Sequence, residues 1–250
     1  MKINIIAVSF YLNPNLLKLK ITKLLEKNNT TNYRIIIVNN NSKYNCSDST
    51  IMGTNKAMDY SGYFEGLNCL KILSNNERYV FLNDTFFIKH FKFKTFNRVL
   101  KYSELLTQTK LPGMSGIRQR YLSVLFNNPI DYSQYYFSTY IFSLNYPAIL
   151  LFKKIYSKRI KVDQLSLNKI NTYIDFHLTK KLFKHYQNYS FTKKILKMRS
   201  ETIRYEILLS SLINKNGIVV PVYSSLIERL IFYSFDALFR RFILRFRRNY

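Results

Sequence analysis

Short apolar runs that end in polar residues are the main pattern in the first part of this chain. One run, Tyr79–Phe87 (YVFLNDTFF), is interrupted by Asn83 and Asp84. The runs Ile3–Phe10 and Arg34–Val38 are also followed by polar residues. Apolar runs of this length predict buried parallel strands, and open α/β sheets bind ligands beyond the carboxyl ends of such strands. The pattern therefore predicts three strands whose polar ends form one site.

Helical spacing separates these predicted strands. Asn13 and Pro14 fit an N-cap and a first helical position, and the helix should end near Lys27. Helical spacing returns at Tyr60–Leu73 and at Thr95–Leu106. A strand, a helix and a strand in this order form a βαβ unit with a parallel sheet. We therefore predict an α/β fold with a mostly parallel sheet flanked by helices.

Four other segments complete the prediction. The polar segment Asn39–Met58 is expected to be a loop, as is Leu111–Arg120, whose glycines and arginines form only a weak phosphate-binding motif. Gly217–Val222 fits a short strand or an extended connector. The uncharged run Tyr132–Phe152 contains hydroxyl, amide and proline residues, so we predict a buried core segment there rather than a membrane span.

We predict three regions along the chain. Residues 1–155 form the core, residues 156–222 a helical extension, and residues 223–250 a basic amphipathic helix. Such a helix is typical of an interfacial membrane anchor, although a helix docked on the core with a solvated basic face remains an alternative. Its apolar side carries Phe235, Leu238, Phe239, Phe242 and Phe246, and Arg240, Arg241, Arg247 and Arg248 lie opposite or beside them.

Composition adds a strong positive charge to this picture. The net charge is +25, with 18 Lys and Arg against 8 Asp and Glu in residues 1–150, and 21 against 6 in residues 151–250. Such a field favours nucleic acid, an anionic membrane or phosphorylated ligands. A nucleic-acid-binding protein is one alternative, but the common nucleic-acid-binding signatures are missing. The two cysteines, Cys46 and Cys69, lack a zinc or disulfide pattern, and we expect a cytoplasmic protein.

The residue types at the predicted strand ends suit a nucleotide sugar. Amides and hydroxyls bind a base and a ribose, a carboxylate binds a divalent metal or a sugar hydroxyl, and Lys or Arg binds a diphosphate. These residue types occur together after the three strands, within a chain that has few acids. We therefore predict a nucleotide-sugar pocket.

Four segments in order resemble the GT-A family of glycosyltransferases, especially bacterial members that build O-antigen, capsule or rhamnan-type surface glycans. They are Ile35–Ser42 (IIIVNNNS), Gly53–Leu67 (GTNKAMDYSGYFEGL), Tyr79–Phe87 (YVFLNDTFF) and Phe137–Asn145 (FSTYIFSLN). The resemblance covers about residues 2–150. It implies transfer of a sugar from a nucleotide-diphosphate donor to a glycan or lipid-linked acceptor, at the inner face of the cell membrane. A catalytically degenerate glycosyltransferase-like protein that only binds is an alternative, because this chain lacks the family's second carboxylate.

The resemblance also implies roles for individual residues. Asp84 would be the ligand of a divalent metal, Mn or Mg, although the family usually supplies two carboxylates where this chain has Asn-Asp-Thr. Asp131 is the predicted catalytic base, with Glu65 and Asp59 as rivals, and a turn or N-cap role after Pro129 is the alternative for Asp131. The predicted donor-binding residues are Phe10, Tyr11, Asn39, Asn40, Ser42, Asn55, Asp59, Gly62, Asn83 and Asp84.

Overall fold

A computed structural model describes residues 1–44, 50–120, 135–157, 171 and 193–223. The first half of the chain contains β1 (Ile3–Ser9), α1 (Pro14–Lys27), β2 (Tyr33–Asn39), β3 (Thr50–Met52), α2 (Met58–Asn68), β4 (Arg78–Asn83), α3 (Asp84–Lys89) and α4 (Phe93–Leu106). The second half contains β5 (Gly113–Arg120), β6 (Tyr135–Leu144), α5 (Tyr146–Tyr156), α6 (Lys193–Asn216) and β7 (Ile218–Val222).

Within these residues the strands form one seven-stranded sheet in the order β3-β2-β1-β4-β6-β5-β7. β1 pairs in parallel with β2 and with β4, while β6 runs antiparallel to both of its neighbours. The chain moves outward from β1 to β3 and then returns to place β4 on the other side of β1. This reversal is a topological switch point, where doubly wound sheets open a ligand crevice beyond the carboxyl ends of the strands.

Each face of the sheet is covered by its own apolar core. Ile6, Val8 and Phe81 pack with side chains of α2, α5 and α6 on one face. On the other face, Ile5 and Ala7 pack with side chains of α1 and α4. Neighbouring residues of β1 therefore point to opposite cores, which explains why the strand is apolar along its whole length. The prediction of a mostly parallel sheet flanked by helices is confirmed.

The sequence prediction was wrong where strands lack apolar runs. The predicted loop at Leu111–Arg120 contains β5, which lies between β6 and β7 and pairs with both. The predicted loop at Asn39–Met58 contains the short strand β3, paired with β2. Because tertiary pairing overrides weak intrinsic β preference, neither strand was visible in the local pattern.

The predicted helical extension belongs to the sheet domain as far as the structure describes it. β7 pairs in parallel with β5, which confirms the short strand expected at Gly217–Val222. Helix α6 packs along β6, where the Oγ of Ser210 accepts a hydrogen bond from the backbone N–H of Phe137. The structure therefore does not separate residues 193–222 from the core.

The uncharged run Tyr132–Phe152 is a core segment in its described part, as predicted. It divides into β6 and α5, because the Asn145 side chain caps α5 and Pro147 follows in the first turn. Among the described residues no helix is both long and apolar enough to cross a membrane. The predicted basic helix at residues 223–250 lies almost wholly outside the described residues.

Candidate functional site

The polar ends of β1 and β2 are joined directly by hydrogen bonds. The Asn41 side-chain amide donates to the carbonyl oxygen of Phe10 at 2.6 Å, and the Tyr44 hydroxyl donates to the carbonyl oxygen of Tyr11 at 2.9 Å. Tyr11 is 64% exposed at this edge. The structure therefore brings the first two predicted strand ends together.

Asp84 joins the end of β4 to the turn after β1. Its Oδ2 accepts hydrogen bonds from the backbone N–H groups of Phe10, Tyr11 and Leu12 at 2.7, 2.5 and 2.8 Å. The residue is fully buried. Burial raises the pKa of Asp84, while the N–H bonds stabilise its charged form and oppose that rise. The carboxylate thus fixes the turn at the switch point.

These contacts give Asp84 a structural role at the end of β4. Its Oδ2 is occupied by three donors, and its Oδ1 is buried and makes no hydrogen bond within the described residues. No group of three or more His, Cys, Asp or Glu side chains arranged to hold a metal ion occurs in the described part of the chain. The metal-ligand role of Asp84 stays a prediction.

Asp59 is the carboxylate at the centre of the other polar cluster. It lies in the first turn of α2, and its Oδ2 accepts from the Asn83 side-chain amide at 2.6 Å and from the Thr139 hydroxyl at 3.2 Å. Asn83 also caps α3 by accepting from the N–H of Phe86. α2, β4 and β6 therefore meet at one carboxyl group that is only 6% exposed.

Helix α6 adds a second buried carboxyl group to this cluster. Oε1 of Glu206 accepts from the backbone N–H of Thr139 at 3.0 Å, so Thr139 connects Glu206 to Asp59. The positive charge of Arg199, about two turns earlier in α6, acts on both carboxyl groups. Sequence patterns do not point to Thr139, Arg199 or Glu206, because nothing local connects these positions to Asp59.

Burial governs the protonation of both acids. It raises the pKa of Asp59 to about 7, and the charge of Glu206 acts in the same direction. Arg199 and the hydrogen bonds from Asn83 and Thr139 oppose this effect. Burial also raises the pKa of Glu206, against the same arginine. A carboxyl group with a pKa near neutral pH can exchange a proton in either direction, as general acid–base catalysis requires.

The segment that leads into α2 has an unusual backbone. Asn55 and Met58 have φ angles of 50° and 45°, which non-glycine residues rarely adopt. The Glu65 carboxylate accepts from the backbone N–H and the hydroxyl of Thr54, and the Thr202 hydroxyl donates to the carbonyl oxygen of Ala57. Glu65 therefore contacts the loop rather than the Asp59 cluster. Strained backbone of this kind persists where the surrounding contacts hold it, often at functional sites.

Gly62 and Gly66 allow α2 to lie directly on β1. A Cβ atom on Gly62 would be 2.7 Å from Cγ2 of Val8, and one on Gly66 would overlap Ile6. Close backbone packing therefore explains both glycines, and it sets the depth at which Asp59 enters the cluster. The ligand contact at Gly62 stays a prediction.

Asn39 and Asn40 support the loop after β2. The side chain of Asn39 donates to the Tyr44 carbonyl oxygen and accepts from the Asn41 N–H, and the residue is fully buried. Asn40 donates to the Met58 carbonyl oxygen. Both side chains therefore make internal contacts, and the nucleoside contacts at these two positions stay a prediction. Ser42 is exposed near them, and Asp131 lies outside the described residues.

Comparison with protein-family models, curated proteins and solved structures finds no match to this chain. The candidate site is therefore defined by its own geometry.

A surface pocket at the opposite edge of the sheet is less suited to chemistry. It is lined by Arg34, Cys69, Lys71, Ile72, Ser74 and Glu77. Its one carboxylate, Glu77, is already bonded to the side chains of Asn4 and Tyr79. The carboxyl edge, with its paired buried acids, remains the candidate site.

Proposed function

We propose that this protein is a GT-A-type glycosyltransferase that uses a nucleotide-diphosphate sugar. The observation that carries the proposal is the Asp59 cluster at the switch point of the sheet. Two buried carboxyl groups there have raised pKa values, in a chain with only 14 acidic residues. Buried acids with perturbed pKa values in such a position are typical of catalytic sites.

Asp59 is the proposed general base. In a transfer with inversion, the base removes the proton of the acceptor hydroxyl as that oxygen bonds to the anomeric carbon of the sugar. The bond from the anomeric carbon to the diphosphate breaks, and the nucleoside diphosphate leaves with its electron pair. A base with a pKa of about 7 can accept this proton at neutral pH.

The leaving diphosphate needs positive charge beside it. α2 begins at this edge, so its N-terminal N–H groups and the exposed Lys56 just before it are the proposed partners. Arg199 supplies a further positive charge close to Asp59. No step of the proposed mechanism uses a divalent metal.

The base and ribose of the donor would occupy the open part of the edge beside β1 and β2. Tyr11 is exposed there, the Phe10 ring lies beside it, and the Tyr44 hydroxyl donates to its carbonyl oxygen; Ser42 is exposed two residues before Tyr44. An exposed aromatic ring can stack on a nucleobase, and hydroxyl groups can bind the ribose. The proposed acceptor is a glycan or a lipid-linked glycan. Attachment to the inner face of the membrane through residues 223–250 remains part of the proposal.

The first test is ligand binding followed by turnover. Purified protein is titrated with UDP-, GDP-, CDP- and dTDP-sugars, with and without Mn²⁺, and thermal stability is recorded. Donors that bind are then incubated with the protein, and release of the nucleoside diphosphate is measured with water or an added glycan as acceptor. Stabilisation by no donor under either condition would overturn the proposal.

Asp59→Asn separates binding from chemistry. We expect the variant to bind the donor as wild type does and to lose about 100-fold or more in turnover, because it lacks the base. Glu104→Gln is the matched control, since this exposed acid pairs with Arg78 at the opposite edge and should not affect turnover. Equal turnover in wild type and Asp59→Asn would remove Asp59 from the mechanism.

A further inference from the structure

A surface segment beside the candidate site combines exposed apolar side chains with lysines. Ile88 in α3 is 48% exposed, and Phe91 in the connector to α4 is 45% exposed. Lys89, Lys92 and Lys94 are exposed next to them. We call these five residues the α3–α4 patch.

Contacts between aromatic rings support the patch from below. The Phe91 ring stacks on Phe87 at a centroid distance of 5.8 Å and meets the edge of Phe86 at 5.7 Å. His90 stacks on Tyr140 of β6 at 4.0 Å. The exposed part of Phe91 is therefore held at the surface by its buried neighbours.

The charge around the patch has one sign. Residues 85–103 contain no Asp or Glu, and their lysines and arginine are Lys89, Lys92, Lys94, Arg98 and Lys101. The acid that precedes this segment, Asp84, is buried and bonded to backbone N–H groups. This stretch of sequence therefore places lysines beside exposed apolar side chains.

We propose that the α3–α4 patch binds the surface of an anionic lipid bilayer. Ile88 and Phe91 would enter the interfacial region, and the lysines would contact anionic headgroups. The aliphatic Ile88 favours lipid over nucleic acid, which binds through aromatic stacking and charge. The proposal uses none of the residues of the predicted C-terminal helix and does not depend on the proposed enzymatic activity.

The α3–α4 patch lies close to the Asp59 cluster. α3 follows β4 directly, and the last residue of β4, Asn83, is bonded to Asp59. A bilayer at the patch would therefore lie beside the candidate site. If the proposed function holds, this arrangement would present lipid-linked acceptors in preference to free glycans.

The absence of tryptophan from the chain permits a direct test. In the full-length protein, Phe91→Trp places a single tryptophan in the patch, and Ile72→Trp places one at a 79% exposed position on the opposite edge. Each variant is mixed with vesicles of phosphatidylcholine alone or with phosphatidylglycerol, with and without brominated acyl chains. Ile88→Trp is a second reporter if Phe91→Trp fails to fold.

We expect anionic vesicles to shift the emission of Phe91→Trp to shorter wavelength and brominated lipid to quench it, with no change for Ile72→Trp. Vesicles that bind the protein and leave both patch reporters unchanged would overturn the proposal. A response of the patch reporters to single-stranded nucleic acid but not to vesicles would overturn it as well.

A charge comparison tests the lysines. The double variant Lys89→Gln/Lys94→Gln should weaken binding to anionic vesicles about fivefold for each lysine. The charge-matched control Lys71→Gln/Lys110→Gln removes two exposed lysines from the opposite edge and should retain nearly the wild-type affinity. Equal losses in the two variants would show that net charge alone drives binding and would overturn the patch proposal.

Discussion

Replacing Asp59 by Asn should stabilise the protein at high pH. Asp59 has a pKa of about 7 in the folded protein, against 3.8 for an ordinary Asp. Between these values the folded state holds a proton that the unfolded state releases, so the free energy of unfolding falls as pH rises from about 4 to about 7. Asn carries no charge, and its side-chain oxygen can still accept from Asn83 and Thr139.

The size of the effect follows from the pKa change. A rise from 3.8 to about 7 corresponds to an ionisation cost of about 4 kcal/mol, which is an upper value because the surroundings of Asp59 relax. We expect the unfolding free energy of Asp59→Asn, relative to wild type, to increase by about 2–4 kcal/mol between pH 4 and pH 8. The carboxyl group of Asp59 thus lowers stability at neutral pH.

Urea unfolding monitored by circular dichroism measures this difference. Wild type and Asp59→Asn are compared at several pH values from 4 to 8 at constant ionic strength. Glu104→Gln is the control, because its side chain is 61% exposed and its removal should cause little pH-dependent change. If the difference in unfolding free energy between Asp59→Asn and wild type stayed constant over this pH range, the raised pKa of Asp59 would be refuted.

Three further predictions concern the contacts that shape the site, all measured by urea unfolding. Asp84→Ala leaves three backbone N–H groups without their acceptor and should cost about 3–5 kcal/mol; a loss below about 1 kcal/mol would contradict this role. Gly62→Ala should cost about 1–3 kcal/mol, and combining it with Val8→Ala should cost less than the sum of the single changes, whereas strict additivity would exclude the steric contact. Tyr63→Phe removes a buried hydroxyl that donates to the Thr139 carbonyl oxygen at 2.6 Å and should cost about 1–2 kcal/mol; unchanged stability would argue against that hydrogen bond.

Local sequence patterns predicted the helices and strands that are marked by a capping pair or an apolar run. The Asn13-Pro14 pair set the start of α1, because the Asn13 side chain caps the helix and Pro14 fits its first turn. The apolar runs identified β1, β2 and β4 to within one residue at each end. By contrast, Asn83-Asp84 was interpreted as a ligand site, although Asn83 caps α3 and Asp84 begins it.

The site required information that no local pattern carries. Asp59 was among the predicted ligand residues and was a rival of Asp131 and Glu65 for the role of base. Its burial and its contact with Thr139 distinguish it from Glu65, and they depend on β6 entering the sheet antiparallel beside β4. Glu206 reaches the same threonine from a helix late in the chain.

The amino-acid sequence by itself determined the α/β class and the edge of the sheet where polar groups gather, because periodicity and capping act over a few residues. Only the tertiary structure decided which polar groups remain for chemistry. At this edge Asn39, Asn40 and Asp84 satisfy backbone groups of neighbouring loops, while Asp59 and Glu206 are buried together. The physical reason is that hydrogen-bond partners and burial arise from residues far apart in the chain, and these fix both the contacts and the pKa of each carboxyl group.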